Sequence, residues 1–297
     1  MRLPSLSVPF LLLFLAGCQA ATIPATQAAP DSPSPIDLAT LPPTTTETSN
    51  PEATTSTEPI ETCLANSGEF EYFDLESAFL DNGLQFRVWL PPCYGRQSDN
   101  DYPVLYLIHG QTFTDEQWDR IGADEAAARA ISNQEYAPFI IVMPFDLSST
   151  QPSIDPFRDA FIQELIPFVD ANFRTLNNRE YRALGGLSRG ASWALHFALH
   201  YPELFSAVGG HSPPVFVEDA PRMVAILESV SAEDMPRIWL DIGEKDQQSI
   251  LNSAIWFEEL LTEMKIQHIW HLFPGFHNEE YWSSHVALYL EWYSQGW

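Results

Sequence analysis

Four short apolar runs, residues 104–108, 139–143, 238–242 and 269–273, stand out along the chain because they are almost continuous rather than alternating. A strand with one face in water alternates every second residue, so runs of this kind predict strands covered on both faces. Tyr181-Arg182-Ala183-Leu184-Gly185 is a further short, strand-like stretch. Between the runs the apolar period becomes helical. Phe157, Phe161, Leu165, Phe168 and Val169 share one helix face after the Asp155-Pro156 start signal, with Pro167 expected to kink the helix. Leu251, Ala254, Ile255, Phe257 and Leu261 mark another helix, and Trp282, Val286, Tyr289, Leu290 and Tyr293 mark the last. Strands alternating with helices predict an α/β fold, a mostly parallel sheet with helices on both faces. Residues 79–90, with Asn82-Gly83 as a turn signal between two runs, add an N-terminal antiparallel hairpin.

The first part of the chain has a different pattern. Residues 1–18 have the order of an export signal: Arg2, an apolar stretch from Val8 to Leu15, then small residues. The stretch is shorter than the about 20 residues a membrane-spanning helix needs. Leu15-Ala16-Gly17-Cys18 is similar to the bacterial lipobox, so lipidation of Cys18 is expected, with an ordinary secretory signal as the alternative. Residues 19–62 are rich in Thr, Pro, Ser, Ala and Glu and lack Lys and Arg, a composition that cannot bury enough surface to fold and reads as a disordered linker. Residues 63–297 then suit one α/β domain.

A net charge of −26, with Lys245 and Lys265 as the only lysines, argues against nucleic acid or anionic lipid as a partner, since both require basic patches. Membrane contact is expected only through the anchor at Cys18. With Cys18 assigned to lipid, Cys63 and Cys93 are left for a disulfide in an oxidising compartment or for two free thiols. So few cysteines and no metal-ligand spacing among the histidines predict no metal. The absence of a glycine-rich phosphate loop predicts no nucleotide cofactor.

The candidate chemistry centres on Gly186-Leu187-Ser188-Arg189-Gly190. A G-x-S-x-G between a strand and a helix holds a serine on a sharp turn, and the small flanking residues let the two backbones approach. Downstream, run 238–242 leads into Gly243-Glu244-Lys245-Asp246, and run 269–273 into Pro274-Gly275-Phe276-His277. The order Ser, acid, His is that of an α/β-hydrolase triad. His277 takes the Ser188 proton, and Asp246 fixes and stabilises its imidazole. Asp241 competes for the acid role and His285 for the base, while His211 is a candidate lining residue. For the oxyanion, main-chain N–H donors are assigned to Arg189, just after the nucleophile, and to Gln111, in the loop after run 104–108.

With these residues in place, the whole of 63–297 resembles the esterase D family of α/β-hydrolases, which includes feruloyl and acetylxylan esterases, enterochelin esterases and S-formylglutathione hydrolases. The resemblance is carried by Val88-Trp89-Leu90-Pro91-Pro92-Cys93-Tyr94, Tyr102-Pro103 with the run to His109-Gly110, Glu164-Leu165-Ile166-Pro167, the Ser188 pentapeptide, Tyr201-Pro202-Glu203-Leu204-Phe205 and Pro274-Gly275-Phe276-His277. It implies an α/β-hydrolase fold with Ser188, Asp246 and His277 as the triad. Gln111-Thr112-Phe113 stand where further glycines are common, and Ala191 replaces another, which leaves acyl and alcohol specificity open. The expectation is a cofactor-free serine ester hydrolase tethered at the cell surface. Its substrate would be a small-molecule or saccharide-linked ester, with Phe113, Trp118, Phe145, Phe216 and Phe276 as an aromatic wall. An acyltransferase with the same triad and a non-catalytic surface binding protein are the alternatives.

Overall fold

The apolar runs all become strands of one sheet in the computed structural model of the chain, which describes residues 63–97, 99–146 and 150–297. The expectations for the signal at 1–18, Cys18 and the linker at 19–62 lie outside the described residues. The strands among the described residues are β1 (Glu69–Leu75), β2 (Leu84–Leu90), β3 (Val104–Ile108), β4 (Ile140–Pro144), β5 (Arg182–Leu187), β6 (Ala207–His211), β7 (Arg237–Gly243) and β8 (His268–Phe273). They lie in the order β1-β2-β4-β3-β5-β6-β7-β8. From β4 across to β8 all neighbours are parallel, and β2 and β1 join antiparallel at the other edge.

The helices are α1 (Gln117–Arg120), α2 (Ala123–Ser132), α3 (Phe157–Ala160), α4 (Ile166–Asn172), α5 (Arg189–His200), α6 (Ala220–Ser229), α7 (Gln248–Glu263) and α8 (Glu279–Tyr293). They cover the sheet on both faces. Successive strand side chains point to opposite faces, so Val104, Tyr106 and Ile108 of β3 join the core formed with α3 to α7, while Leu105 and Leu107 join the core formed with α1, α2 and α8. All described residues belong to one compact unit, Ser56–Trp297. Mostly parallel strands with helices on both faces and an antiparallel N-terminal pair make this an α/β-hydrolase fold.

Four local features differ from the sequence expectation. The hairpin pairs β1 with β2, so its first strand is 69–75 and not a run beginning at Phe79. The Ser77 hydroxyl accepts the N–H groups of Phe79 (3.1 Å) and Leu80 (3.0 Å), which closes 76–83 into a connection. Its Phe79 and Leu80 dock on the core instead of pairing in the sheet. The helix expected from Phe157 is continuous but contains a π-helical turn, Phe161–Leu165, just before Pro167. The proline ring and its missing N–H disrupt the normal i to i−4 ladder at that point. Strand β6, with sequence Ala-Val-Gly-Gly-His, lacks the apolar run that marks its neighbours. Finally, β8 is an edge strand and only half covered, with Leu272 50% exposed, despite its continuous apolar sequence.

Cys63 and Cys93 form a disulfide with a Cα separation of 5.1 Å, tying the start of the described chain to the turn after β2.

Candidate active site

Three strand-to-helix connections converge at the carboxyl ends of β5, β7 and β8. The first is the serine turn. Ser188 has φ 52° and ψ −120°, a left-handed backbone that a non-glycine residue adopts at a cost of order 1–3 kcal/mol. The turn needs small neighbours because a Cβ on Gly186 would sit 2.1 Å from the Gly190 carbonyl oxygen. One on Gly190 would sit 2.4 Å from the carbonyl oxygens of Ile108 and His109. The start of α5 therefore packs directly on the end of β3, which brings the His109-Gly110-Gln111 loop beside the serine. The Ser188 N–H donates to the His211 carbonyl at 2.8 Å, fixing the nucleophile's backbone to β6.

Beyond β7 and β8 the next two loops are stitched together by main-chain bonds, Glu244 N–H to Phe273 O (2.8 Å) and Lys245 N–H to Gly275 O (2.9 Å). This stitching brings Asp246 to His277. His277 Nδ1 lies 2.8 Å from the Asp246 carboxylate, and Nε2 lies 2.8 Å from Ser188 Oγ. Asp246 is buried and also accepts the Gln247 N–H at 2.6 Å. Trp282 meets the His277 ring edge to face at 5.1 Å. The structure thus joins Ser188, His277 and Asp246 in one hydrogen-bonded chain.

The competitors lie elsewhere. Asp241 is fully buried, with its carboxylate on His211 Nδ1 at 2.6 Å. The His285 ring nitrogen donates to the Tyr281 carbonyl at 2.7 Å, one turn back along α8. His211 does not line the cleft as the sequence reading proposed; it is wholly buried beneath it.

Side chains hold the loop after β3 on several sides. Trp118 Nε1 donates to Ile108 O (3.1 Å), and the Gly110 N–H donates to Gln117 Oε1 (2.7 Å). His109 lies within 2.7 Å of Gly110 O through Nδ1, and its Nε2 accepts the Asp146 N–H at 3.0 Å. This arrangement requires a neutral ring protonated on Nδ1. Burial pushes His109 down to about 4, with the Arg189 charge adding to that and the Gly110 bond opposing it. The Arg189 guanidinium is buried against Asp146 at 2.6 Å, which secures the same segment from the α5 side. Among the described residues no hydrogen bond engages the Gln111 N–H. Gln111 instead lines a cleft of about 560 Å³ with Phe113, Ser188, Ile250, His277 and Trp282.

The expected aromatic wall is only partly there. Phe113 lines the cleft, while Phe276 is 57% exposed with the Lys245 ammonium 5.7 Å from its ring. Trp118 is core, and Phe145 borders a different cavity. Sequence reasoning missed Ile250, which fell outside the apolar spacing of its helix, and Trp282, whose helical spacing marked it only as a packing residue. It also missed Gln117, whose burial only the fold reveals. A larger cavity of about 690 Å³ lies at the opposite end of β7 and β8, beside Arg237, His268 and Trp292, and contains none of the three relay residues. Among the described residues, Asp119, Asp124 and Glu125 bring carboxylate oxygens within 4.8 Å of one another, the one grouping there able to offer a hard cation three ligands. It shares no residue with the cleft.

A hydrogen-bonded Ser–His–Asp chain on a strand–turn–helix can remove a hydroxyl proton as the oxygen attacks a carbonyl. The Esterase family model, described as "Putative esterase", matches residues 77–292. An endo-1,4-beta-xylanase/feruloyl esterase of Xylanibacter ruminicola is 28% identical over 179 residues, covering 57% of this chain and 24% of that protein. Esterase Rv1288 of Mycobacterium tuberculosis is 31% identical over 160 residues, covering 50% of this chain and 33% of its own. The chain thus spans about a quarter to a third of the length of these curated relatives. A ferulic acid esterase structure superposes with a TM-score of 0.68 at 22% identity, covering 77% of this chain and 98% of that one. With most of its length matched by the family model and its fold that of the esterases it superposes on, the chain belongs to the esterase family of α/β-hydrolases.

Proposed function

We propose that this chain hydrolyses carboxylic esters through an acyl-enzyme at Ser188. One observation carries the reading: the unbroken 2.8 Å relay from Ser188 Oγ through His277 to Asp246, set at a strained turn that opens into the cleft. His277 Nε2 takes the Ser188 proton as Oγ attacks the ester carbonyl carbon, and the Asp246 carboxylate stabilises the resulting imidazolium. The N–H groups of Arg189 and Gln111 receive the oxyanion. As the tetrahedral intermediate collapses, the C–O bond to the alcohol breaks and His277 returns the proton to the departing oxygen. Water then repeats the sequence on the acyl-serine, releasing the acid and restoring the hydroxyl.

For substrate we propose an ester joining an aromatic or short acyl group to a saccharide. Two observations support this: the apolar cleft side formed by Phe113, Ile250 and Trp282, and the feruloyl esterase names of the relatives. For residues 1–62 the proposal is export, lipidation at Cys18 and a tether over 19–62, so that the enzyme works outside the membrane.

The test is a panel of feruloyl, acetyl and short-chain acyl esters with product analysis in the presence and absence of an added sugar. The reading expects free acid as the main product. It also expects Ser188→Ala to be inactive and Asp246→Asn to lose on the order of 10⁴ in kcat. Acyl transfer to the sugar as the main product would make the chain an acyltransferase. Activity that survives Ser188→Ala would refute the mechanism.

A further inference from the structure

Beneath the cleft lies a second histidine–aspartate pair that the reaction does not use. The Asp241 carboxylate is fully buried and receives four donors: His211 Nδ1 (2.6 Å) and Trp239 Nε1 (2.9 Å) at one oxygen, and the hydroxyls of Tyr281 (2.6 Å) and Tyr289 (2.8 Å) at the other. Burial alone would raise this carboxyl, but His211, Tyr281 and Tyr289 outweigh it and hold Asp241 below its ordinary value. His211 Nε2 lies 3.0 Å from the Tyr293 hydroxyl. That hydroxyl fits between β5 and β6 only because Gly185 and Gly209 lack side chains, since a Cβ on either would lie 2.1 or 1.9 Å from it. Four side chains from β6, β7 and α8 thus meet on one anion, with Tyr293 closing the cluster behind His211.

Three paths lead from the cluster toward the relay residues or the loops that carry them. The His211 carbonyl holds the Ser188 N–H at 2.8 Å. Ser212, next in sequence, donates its N–H to Asp241 O (2.7 Å), and its hydroxyl accepts Trp282 Nε1 (3.3 Å), whose ring edge packs on His277. Tyr281 supports the His277 loop from below, because a Cβ on Gly275 would lie 2.4 Å from its ring. Tyr289 reaches the same Asp241 oxygen from two turns further along α8, away from that loop.

Resting on the serine-esterase reading above, we propose that Asp241 and Tyr281 are positioning residues that set the Ser188–His277 separation, with Tyr281 as the arm that holds the His277 loop. A 1 Å misplacement of reacting groups can cost about a hundredfold in rate, whereas a tie that only supports the fold changes stability and leaves kcat in place.

The experiment compares Tyr281→Phe with Tyr289→Phe, each of which deletes one hydroxyl from the same Asp241 oxygen. Melting temperature, kcat, KM and the rate of acylation by a fluorophosphonate are measured for both in the full chain. Similar stability losses are expected. Acylation and kcat are expected to fall about ten- to hundredfold in Tyr281→Phe with KM within about twofold, and less than about threefold in Tyr289→Phe. Ser212→Ala, which breaks only the Trp282 link, provides a second reading if Tyr281→Phe does not fold, with a several-fold loss of acylation expected. Equal losses of rate in the two tyrosine variants, or none in Tyr281→Phe or in Ser212→Ala, would reduce the cluster to a fold support. Absence of acylation in the wild-type protein would count against the serine-esterase reading and against this proposal together. Wild-type acylation that Tyr281→Phe preserves would count against this proposal alone.

Discussion

At the scale of single residues, the acid within β7 and the acid in the loop after it show how far sequence reaches. Asp241 sits inside an apolar run and Asp246 just beyond it, and a catalytic acid belongs on the loop where a histidine from the next loop can meet it. That placement singled out Asp246 without coordinates, and Asp246 is the acid found on His277. What was not legible was the use of Asp241, because its donors come from positions as distant as Trp239 and Tyr289, and only folding brings them together. His109 is a similar case. As part of His-Gly it marks the loop after β3, but its neutrality follows from burial, which sequence does not display. A base held near 4 stays uncharged in the folded chain while the unfolded chain takes up a proton near 6.5. The stability it contributes is therefore complete above about pH 6.5 and is lost as pH falls toward 4. In an NMR titration, the His109 ring is expected to show its inflection near pH 4; one near 6.5 would contradict the buried, Nδ1-protonated arrangement.

At the scale of elements, the most legible strands were those whose hydrophobic pattern had one cause. Strand β3 was delimited to the residue because it is covered on both faces. Strand β6 was invisible because Gly209 makes room for the hydroxyl of Tyr293 and Gly210 packs against Leu195 and Leu240, so neither position carries an apolar side chain. The beginning of the hairpin was misplaced because Phe79 and Leu80 plug the core from a connection, and an apolar pair says nothing about which structure carries it. The serine turn was legible because the glycines at 186 and 190 are demanded by contact between backbones. That contact makes a test. In Gly190→Ala the new Cβ would press on the carbonyls of Ile108 and His109, forcing α5 away from β3 and Ser188 away from Gln111. Overpacking of this kind costs about 1–3 kcal/mol, so urea unfolding should shift by that amount while acylation of Ser188 slows in the folded protein. A variant with wild-type stability and rate would show that the close approach is not needed.

At the scale of the whole molecule, the parallel sheet gathers the catalytic chemistry. Connections leaving β3, β5, β7 and β8 all emerge at the carboxyl edge, which is where open α/β sheets place their ligands. Residues scattered from 110 to 282 thus line one cleft. The fold class and the family were readable from motif order over most of the domain, whereas the walls of the cleft were not, since an aromatic residue looks the same in sequence whether it faces core or substrate. Trp118 and Phe113 divide in that way. The central claim is that this gathering activates Ser188. It is tested most directly by intact-protein mass after exposure to a fluorophosphonate, with Ser188→Ala beside the wild type. The account predicts one adduct on the wild-type chain and none on the variant. A folded wild-type protein that takes no adduct, or a variant that takes one, would contradict it.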